Sequence, residues 1–496
     1  MSLILEENGL RMRRRKWKLH PDPTHVICRP HLPGGGDPQR VRNIIDRVLS
    51  LSEPEVAALC ERVIGDFSDR HRNLAQILER HYQLVERYVP GGVSLSAARR
   101  TLLGAYFTME YSVSSAALFN PSMVRHPDQG RLKPGELRFI MSLRAVGEGH
   151  ISSLVFRSGT IDAQGSLLFD PVSDYVETPM LQPNPSYGKR MFMQKLQRLG
   201  VDQALLDALF TPLGNNFTYN ELQESIDAYR LAHPEALIAD AIGTITWLAH
   251  SNYELDFQQA QSMSERVIFP ASQNDKSGIE DARFVEFTDD DGTVTYYATY
   301  TAYDGTHILP QLIETQDFSR FRMFTLSGQA VKNKGMALFP QKINGRYVML
   351  GRQDGESNYI MSSEELHIWQ DMTPLQHPME PWEYVQIGNC GSPIRTERGW
   401  LVLTHGVGPM REYSIGAILL DLEQPQKVVA KLKQPLLRPH AAEREGYVPN
   451  VVYSCGGLVH NGELMIPYAM SDTSSGLVSV NLEELLRAMT PVSRPA

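Results

Sequence analysis

Five short segments scattered along the chain carry polar groups suited to chemistry. They are Asn120 in Phe119-Asn120-Pro121-Ser122, Asp281 and Arg283 in Gly278-Ile279-Glu280-Asp281-Ala282-Arg283, Lys334 before Leu338-Phe339-Pro340, Asn389 in Gly388-Asn389-Cys390-Gly391-Ser392-Pro393, and Asn450 in Val448-Pro449-Asn450-Val451. Asp281 is the carboxylic acid of this set that stands beside a cation. In a dry, charge-balanced cavity such a group can hold a proton at neutral pH and pass it to a departing oxygen. The same Asp281 can instead be a buried structural partner of Arg283. What separates the two readings is whether the fold gathers these distant segments.

The hydrophobic pattern supplies such a fold. From about residue 115, short apolar and aromatic runs alternate with Gly, Asp and Asn, so Phe139 to Arg144, Ile151 to Phe156 and Tyr296 to Tyr300 read as strands. Opening strands recur at Phe284, Phe339, Ile394 and Val451, roughly 55 residues apart. Each leads to an apolar strand, a turn and a further strand, as in Tyr347 to Arg352 then Tyr359 to Ser362, and Trp400 to His405 then Ser414 to Leu420. With a unit opening near Phe119, this predicts an all-β five-bladed β-propeller over residues 113–490. Propellers set the first strand of every blade around a central channel, where polar residues distant in sequence converge. A β-sandwich with helical decorations is the competing architecture.

Two helical regions accompany the strands. Residues 1 to 36 look irregular or strand-like and end in the turn-rich Pro33, Gly34, Gly35, Gly36, after which helical periodicity runs to about 112. Ser52, Pro54 and Glu55 form a cap and first turn before Val56, Leu59, Val63 and Ile64. Residues 1–112 are therefore expected to be a largely helical N-terminal extension. A second stretch, about 187–250, carries Met191 to Leu199, Gln203 to Phe210 and Tyr219 to Leu231 and reads as a helical insertion between strands.

Composition excludes several functions. The chain has 496 residues, 42% hydrophobic and 21% charged, with a formal net charge of -9. No apolar run reaches the roughly 18 residues that span a bilayer, and Arg-rich sequence stands where a signal peptide needs an apolar core. A membrane is not expected as a partner. Nucleic acid is not expected either, because the basic cluster Arg11 to Lys18 is too local to offset the net negative charge and reads as a solvated or domain-capping segment. Cys28, Cys60, Cys390 and Cys455 lie far apart without zinc or disulfide spacing, which fits a reducing cytoplasm. No cofactor or metal is expected, since the histidines form no HxH or HxxxH cluster and no phosphate-cradling glycine motif appears.

Taken in order, the segments resemble glycoside hydrolase family 130, the inverting β-mannoside phosphorylases and related β-mannosidases built on a five-bladed propeller. The likeness covers about residues 115 to 485 and rests on Glu280-Asp281-Ala282-Arg283, on Leu338-Phe339-Pro340-Gln341-Lys342-Ile343-Asn344-Gly345-Arg346, and on Gly399-Trp400-Leu401-Val402-Leu403-Thr404-His405-Gly406-Val407. Tyr413-Ser414-Ile415-Gly416-Ala417, Leu419-Leu420-Asp421-Leu422 and Val448-Pro449-Asn450-Val451 complete it.

The resemblance implies roles. The family's catalytic acid falls on Asp281, with Ala282 in place of the usual Pro, and its proton passes through a hydroxyl of the bound mannose. Phosphate, as co-substrate, falls to Lys334, Arg352 and His405, with Arg411 where some members use a Tyr. Each has a plainer role open to it: a turn residue, a surface ion-pair former, a core histidine. Asn120, Arg144, Asp281 and Asp472 match mannose contacts, Glu280 and Arg283 beside the acid are expected to bind substrate as well, and Tyr413 can stack on a sugar face or pack in the core. Because a phosphate cannot be desolvated without cations, retention of these basic residues implies phosphorolysis, giving α-mannose 1-phosphate. An inverting β-mannosidase, which needs a carboxylate to activate water, is the first alternative. A non-catalytic propeller binding module is the second. The N-terminal helices and the insertion are expected to wall the cleft or to form a homo-oligomer interface.

Overall fold

The aromatic and β-branched runs after residue 107 form strands, and strands dominate the rest of the chain. The computed structural model of the protein describes residues 3–7, 9–182, 186–234, 238–272, 274–305 and 308–492. Successive antiparallel strands fall into five groups, the first two joined into one sheet by a single parallel pair, Gly278 with Ser152. The first holds Ala117–Arg125, Leu137–Val146 and Ser152–Ile161, and the second Gly278–Thr288, Val294–Tyr303, Ile308–Thr315 and Arg320–Thr325. The third holds Ala337–Leu338, Tyr347–Gly351, Asn358–Ser363 and Thr373–Gln376. The fourth is built on Gln386–Asn389, Gly399–Val407, Tyr413–Leu420 and Val428–Lys431. The fifth is built on Val452–Tyr453, Glu463–Met470 and Ser474–Asn481, and the N-terminal strands Leu10–Arg14 and Leu3–Glu7 extend it.

Apolar side chains join each group to the next. Phe156 of the first group stacks on Phe321 and meets Phe284 edge-on in the second. Leu312 of the second packs with Met349 and Trp369 on the third, and Phe339 of the third meets Trp400 of the fourth with ring centroids 5.3 Å apart. Leu403 and Ile415 of the fourth share a cluster with Ile466 and Val478 of the fifth, whose Met465 and Leu477 pack in turn against Met123 and Met141 of the first. The interfaces thus return to where they began. Burying each such Leu, Ile or Phe contributes about 1.5–3 kcal/mol, so the ring of contacts is a principal source of stability. The strand Gly399–Val407, buried along its whole length, is a continuous apolar run because both of its faces are covered.

The helical segments attach outside this ring. Helices Pro38–Leu49, Glu53–Phe67, Leu74–Gln83 and Ala97–Tyr106 follow the N-terminal strands, and the Glu55 carboxylate accepts the Ser52 backbone N–H at 2.8 Å as the cap pattern requires. The 1–36 segment takes the strand-like of its two readings, since Leu3–Glu7 pairs with Leu10–Arg14 and Asp22–Pro30 pairs with Thr108–Ser114. The basic cluster is only partly solvated: Met12 and Arg14 are buried, and Arg14 forms an ion pair with Glu443. Helices Lys189–Arg198, Gln203–Phe210, Tyr219–Ala232 and Ala239–His250 share their own core. They sit between strands Met180–Gln182 and Tyr253–Asp256, which pair with each other along the outer edge of the second group. Among the described residues, no helix is long and apolar enough to cross a membrane.

Candidate functional site

Local backbone strain marks the site. Asn120, Asp281, Asn450 and Asp472 have φ of 48°, 54°, 63° and 51°, in the left-handed region that costs a side-chain-bearing residue energy but is least unfavourable for Asn and Asp. At Asn120 and Asp281 the pairing register also slips, between Phe119 and Ser122 and between Glu280 and Arg283. Such bulges break the alternation of faces and re-aim one side chain. Here they turn Asn120 and Asp281 toward each other.

The re-aimed groups form one buried network. Asn120 Nδ2 donates to Asp281 Oδ1 at 2.6 Å, and Arg144 Nη1 donates to the same oxygen at 3.3 Å. Arg144 Nη2 donates to Glu280 Oε1 at 2.6 Å while its Nε donates to Ser152 Oγ at 2.9 Å, so this guanidinium is fixed on three sides. It also lies over the Phe119 ring, 5.1 Å from the centroid. Two strand groups therefore converge on a single carboxylate.

A cationic side adjoins the carboxylate. Arg283, two residues from Asp281, donates from Nη2 to the Tyr453 hydroxyl, and its Nε is buried without a partner. Arg352 Nη1 lies 3.3 Å from His405 Nε2, and its Nε is likewise buried and unpartnered. Gly335, at φ 90°, brings the backbone between these arginines: a Cβ there would lie 3.7 Å from Arg283 Nη1 and 3.8 Å from Arg352 Cβ. Asn389 Nδ2 fixes this turn by donating to the Gly335 carbonyl at 2.6 Å. Lys334 precedes it, near enough for its charge to act on both Asp281 and Asp472. Two buried guanidinium groups whose bonds go only to neutral partners are costly unless an anion joins them.

His405 departs from the expected cationic role. Burial first, then the charges of Arg352 and Arg283, holds its imidazole well below the usual histidine range, so it is neutral. With Nδ1 3.3 Å from the Asn389 carbonyl, the consistent tautomer donates there and accepts from Arg352 at Nε2. His405 thus orients Arg352. The ring is held between Tyr413, nearly parallel with centroids 5.9 Å apart, and Tyr453, edge-on at 5.0 Å. A Cβ on Gly388 would lie 2.3 Å from His405 Cε1, so the glycine makes room for the imidazole.

The protonation state of Asp281 also differs from expectation. Burial favours its neutral form, but Arg144, Lys334, Arg283 and the Asn120 hydrogen bond outweigh burial and hold the carboxyl below the ordinary range. Asp281 is a carboxylate in the ligand-free protein. Asp472 shows the opposite shift: burial, then the charge of Asp281, pushes it up to about 6 against the pull of Arg144, Arg411 and Lys334. A carboxyl with a raised native pKa favours folding at low pH, where both states are protonated or the native state binds the extra proton, and disfavours it above about 6. Asp472→Asn is therefore expected to stabilise the protein by about 1–3 kcal/mol at pH 8 and by much less at pH 4.5. Urea unfolding at both pH values checks this, and an equal change at both would contradict it.

The network thus brings together Asn120, Arg144, Glu280, Asp281, Arg283, Lys334, Arg352 and His405, with Tyr413 against the His405 ring. Tyr413 is committed on its hydroxyl as well, which accepts from Gln386 Nε2 at 3.1 Å. Arg411 is exposed at the turn Pro409–Arg411, and its charge acts on Asp472; among the described residues it makes no bond to Arg352 or His405. Sequence reasoning missed Tyr453 and Ser152. Tyr453 follows the Val448-Pro449-Asn450-Val451 motif by two residues, and that proximity was the available signal. Ser152 opens the strand paired with Arg144's own strand and has no distinguishing spacing. Cys390 and Cys455 are buried nearby, and burial pushes the Cys390 thiol up to about 12, so it is protonated.

Comparison with known proteins identifies a family. The profile of glycoside hydrolase family 130, described as beta-1,4-mannooligosaccharide phosphorylase, matches residues 249–491. A 1,2-beta-oligomannan phosphorylase of Thermoanaerobacter sp. (strain X514) is 34% identical over 227 residues, covering 45% of this chain and 75% of that protein. A Beta-1,2-mannobiose phosphorylase of Listeria innocua is 33% identical over 230 residues, covering 45% of this chain and 63% of that protein. The solved structure of Beta-1,2-Mannobiose phosphorylase from Listeria innocua in complex with beta-1,2-mannobiose superposes with a TM-score of 0.46 at 21% identity, over 76% of this chain and 93% of that one. With three quarters of a relative's length matched at one identical residue in three, the chain belongs to glycoside hydrolase family 130.

Proposed function

We propose that the protein cleaves a non-reducing terminal β-mannoside with inorganic phosphate, inverting at C1 to give α-mannose 1-phosphate and the shortened saccharide. The observation that carries this reading is the pair of buried guanidinium groups, Arg283 and Arg352, without a carboxylate bonded to either, beside the Asp281 network. The names of the two sequence relatives given above, both phosphorylases of mannosides, support the same reaction class. We also read the five strand groups as the blades of a five-bladed propeller, the fifth including Leu3–Glu7 and Leu10–Arg14, with the rest of residues 1–112 and the helical insertion as additions to it.

In this mechanism Asn120, Arg144 and Asp472 orient the sugar by hydrogen bonds to its hydroxyls. Arg283, Arg352 and Lys334 hold phosphate on the face of C1 opposite the leaving oxygen, and the neutral His405 keeps Arg352 aimed. The oxygen of phosphate attacks C1 as the glycosidic bond breaks, and the departing oxygen takes a proton that Asp281 supplies through a sugar hydroxyl. Asp281 must be loaded with that proton first. Arg283 and Lys334 depress its pKa in the ligand-free protein, and a phosphate dianion placed against them offsets their charge. Phosphate binding should therefore draw in a proton.

That linkage is measurable. Calorimetric titration with phosphate in buffers of different ionisation enthalpy is expected to show net proton uptake at pH 7–8, and Asp281→Asn should remove the contribution of this group. An identical buffer dependence in the variant and the parent protein would discard the linkage.

The reaction itself is tested by incubating the protein with β-mannobioses with and without phosphate. Phosphate-dependent formation of mannose 1-phosphate is the expected result. Free mannose released without phosphate would replace phosphorolysis by hydrolysis, and no turnover of any β-mannoside would leave a binding module.

A further inference from the structure

Arg157 has no explanation in the site just described. It lies on the strand Ser152–Ile161 and is only 6% exposed, yet its one hydrogen bond runs from Nη1 to the carbonyl of Phe156 at 2.8 Å. Burial pulls its pKa down to about 10, and the charge of Asp22 offsets this only in part. A guanidinium held this way should be lost to a neutral residue unless something anionic meets it.

The surroundings are built for that. Arg157 lines a cavity of about 350 Å³ together with Arg138, Arg266, Ser158, Ser262 and Ser264. Arg266 donates only to Met263 Sδ at 3.2 Å and Ser319 Oγ at 3.3 Å, and its Nε is buried without a partner. The hydroxyls of Ser262 and Ser264 lie 3.0 Å apart at the wall. The carboxylate in the cavity, Asp170, is already engaged: it accepts from Ser158 Oγ at 2.5 Å and faces Arg138 Nη2 at 3.7 Å. His126 is kept toward its neutral form by burial, then by Arg138. Three guanidinium groups therefore line the cavity with one carboxylate. Arg138 also pairs with Asp128 at 3.4 Å, and Asp317, Glu177 and Glu265 act on Arg266 from outside the lining without a hydrogen bond to it among the described residues. Arg138 stands six residues before Arg144 on the strand Leu137–Val146, about 20 Å away at about 3.3 Å per residue.

We propose that this cavity on the outer end of the first strand group is a second binding site for a tetrahedral oxyanion, a phosphate or the phosphate group of a small sugar phosphate, separate from the Asp281 site. Arg157 and Arg266 bind the oxyanion with the guanidinium N–H groups that no protein acceptor uses, and the Ser262 and Ser264 hydroxyls complete its contacts. The volume exceeds what inorganic phosphate needs and leaves room for an attached sugar.

Equilibrium dialysis with labelled inorganic phosphate tests the site on the whole protein. The parent chain is expected to bind two equivalents, and Arg157→Met and Arg352→Met one each. Saturation at one equivalent that Arg157→Met leaves unchanged would overturn the proposal, whereas loss of a single equivalent in Arg157→Met would support it even if the Asp281 site bound none. If Arg157→Met fails to fold, the double variant Ser262→Ala, Ser264→Ala is expected to weaken the second equivalent at least tenfold, and unaltered affinity would overturn the proposal. Competition by mannose 1-phosphate for the equivalent retained in Arg352→Met identifies a sugar phosphate as the occupant, and failure to compete identifies phosphate itself.

Discussion

Replacing Asp281 by Asn is expected to lower turnover of a β-mannoside by about 10²–10⁴-fold, the usual worth of a positioned proton donor. The substitution is nearly isosteric. An amide oxygen can still accept from Asn120 Nδ2 and Arg144 Nη1, the two donors that meet at Asp281 Oδ1, so the network and the fold should survive. What disappears is the proton. Turnover with saturating phosphate and an unchanged thermal midpoint together check this, and a variant that retains turnover within tenfold of the parent would remove Asp281 from the chemistry.

Lys334→Ala combined with Arg352→Ala should raise the KM for phosphate by about 10²-fold or more while affecting sugar binding far less. Each charge-assisted bond to an anion is worth about 1.5–3 kcal/mol, and about 1.4 kcal/mol is tenfold in affinity. Arg352 carries an additional consequence, because its charge is one cause of the depressed His405 pKa. Its removal lets that pKa rise, so the variant's histidine should titrate at higher pH by NMR. A phosphate KM equal to that of the parent protein would discredit the anion pocket.

The parts of this arrangement that were legible in the sequence are those written in local spacing. The strands around Phe139, Tyr296 and Trp400, the capped helix after Ser52 and the helical insertion follow from period and turn chemistry. Asp281 stood out because it lies in an opening-strand segment whose Glu280-Asp281-Ala282-Arg283 resembles the family's acid motif. The directions of the side chains were not legible. In an unbroken strand Asp281 and Arg283 would share a face, and only the bulge between Glu280 and Arg283 separates the carboxylate from the cation. Charge state was equally hidden. Neutral His405 and ionised Asp281 result from which groups lie within a few ångströms in space, and four strand groups contribute those neighbours. Tyr453 shows the same limit: its place beside Val448-Pro449-Asn450-Val451 was a signal, but its bond to Arg283 spans 170 positions of sequence.

The pairing of Leu10–Arg14 with Ser474–Asn481 bears on how the protein is made. Met12, Arg13 and Arg14 meet Val480, Ser479 and Val478, so this segment finds its mate only after hundreds of further residues have been made. Until then its apolar Leu10 and Met12 are uncovered and the last sheet has an open edge, a state that invites misassociation in the cell. Completion of that sheet is a long-range closure, the class of contact whose loop-closure entropy must be met before its pairing is rewarded.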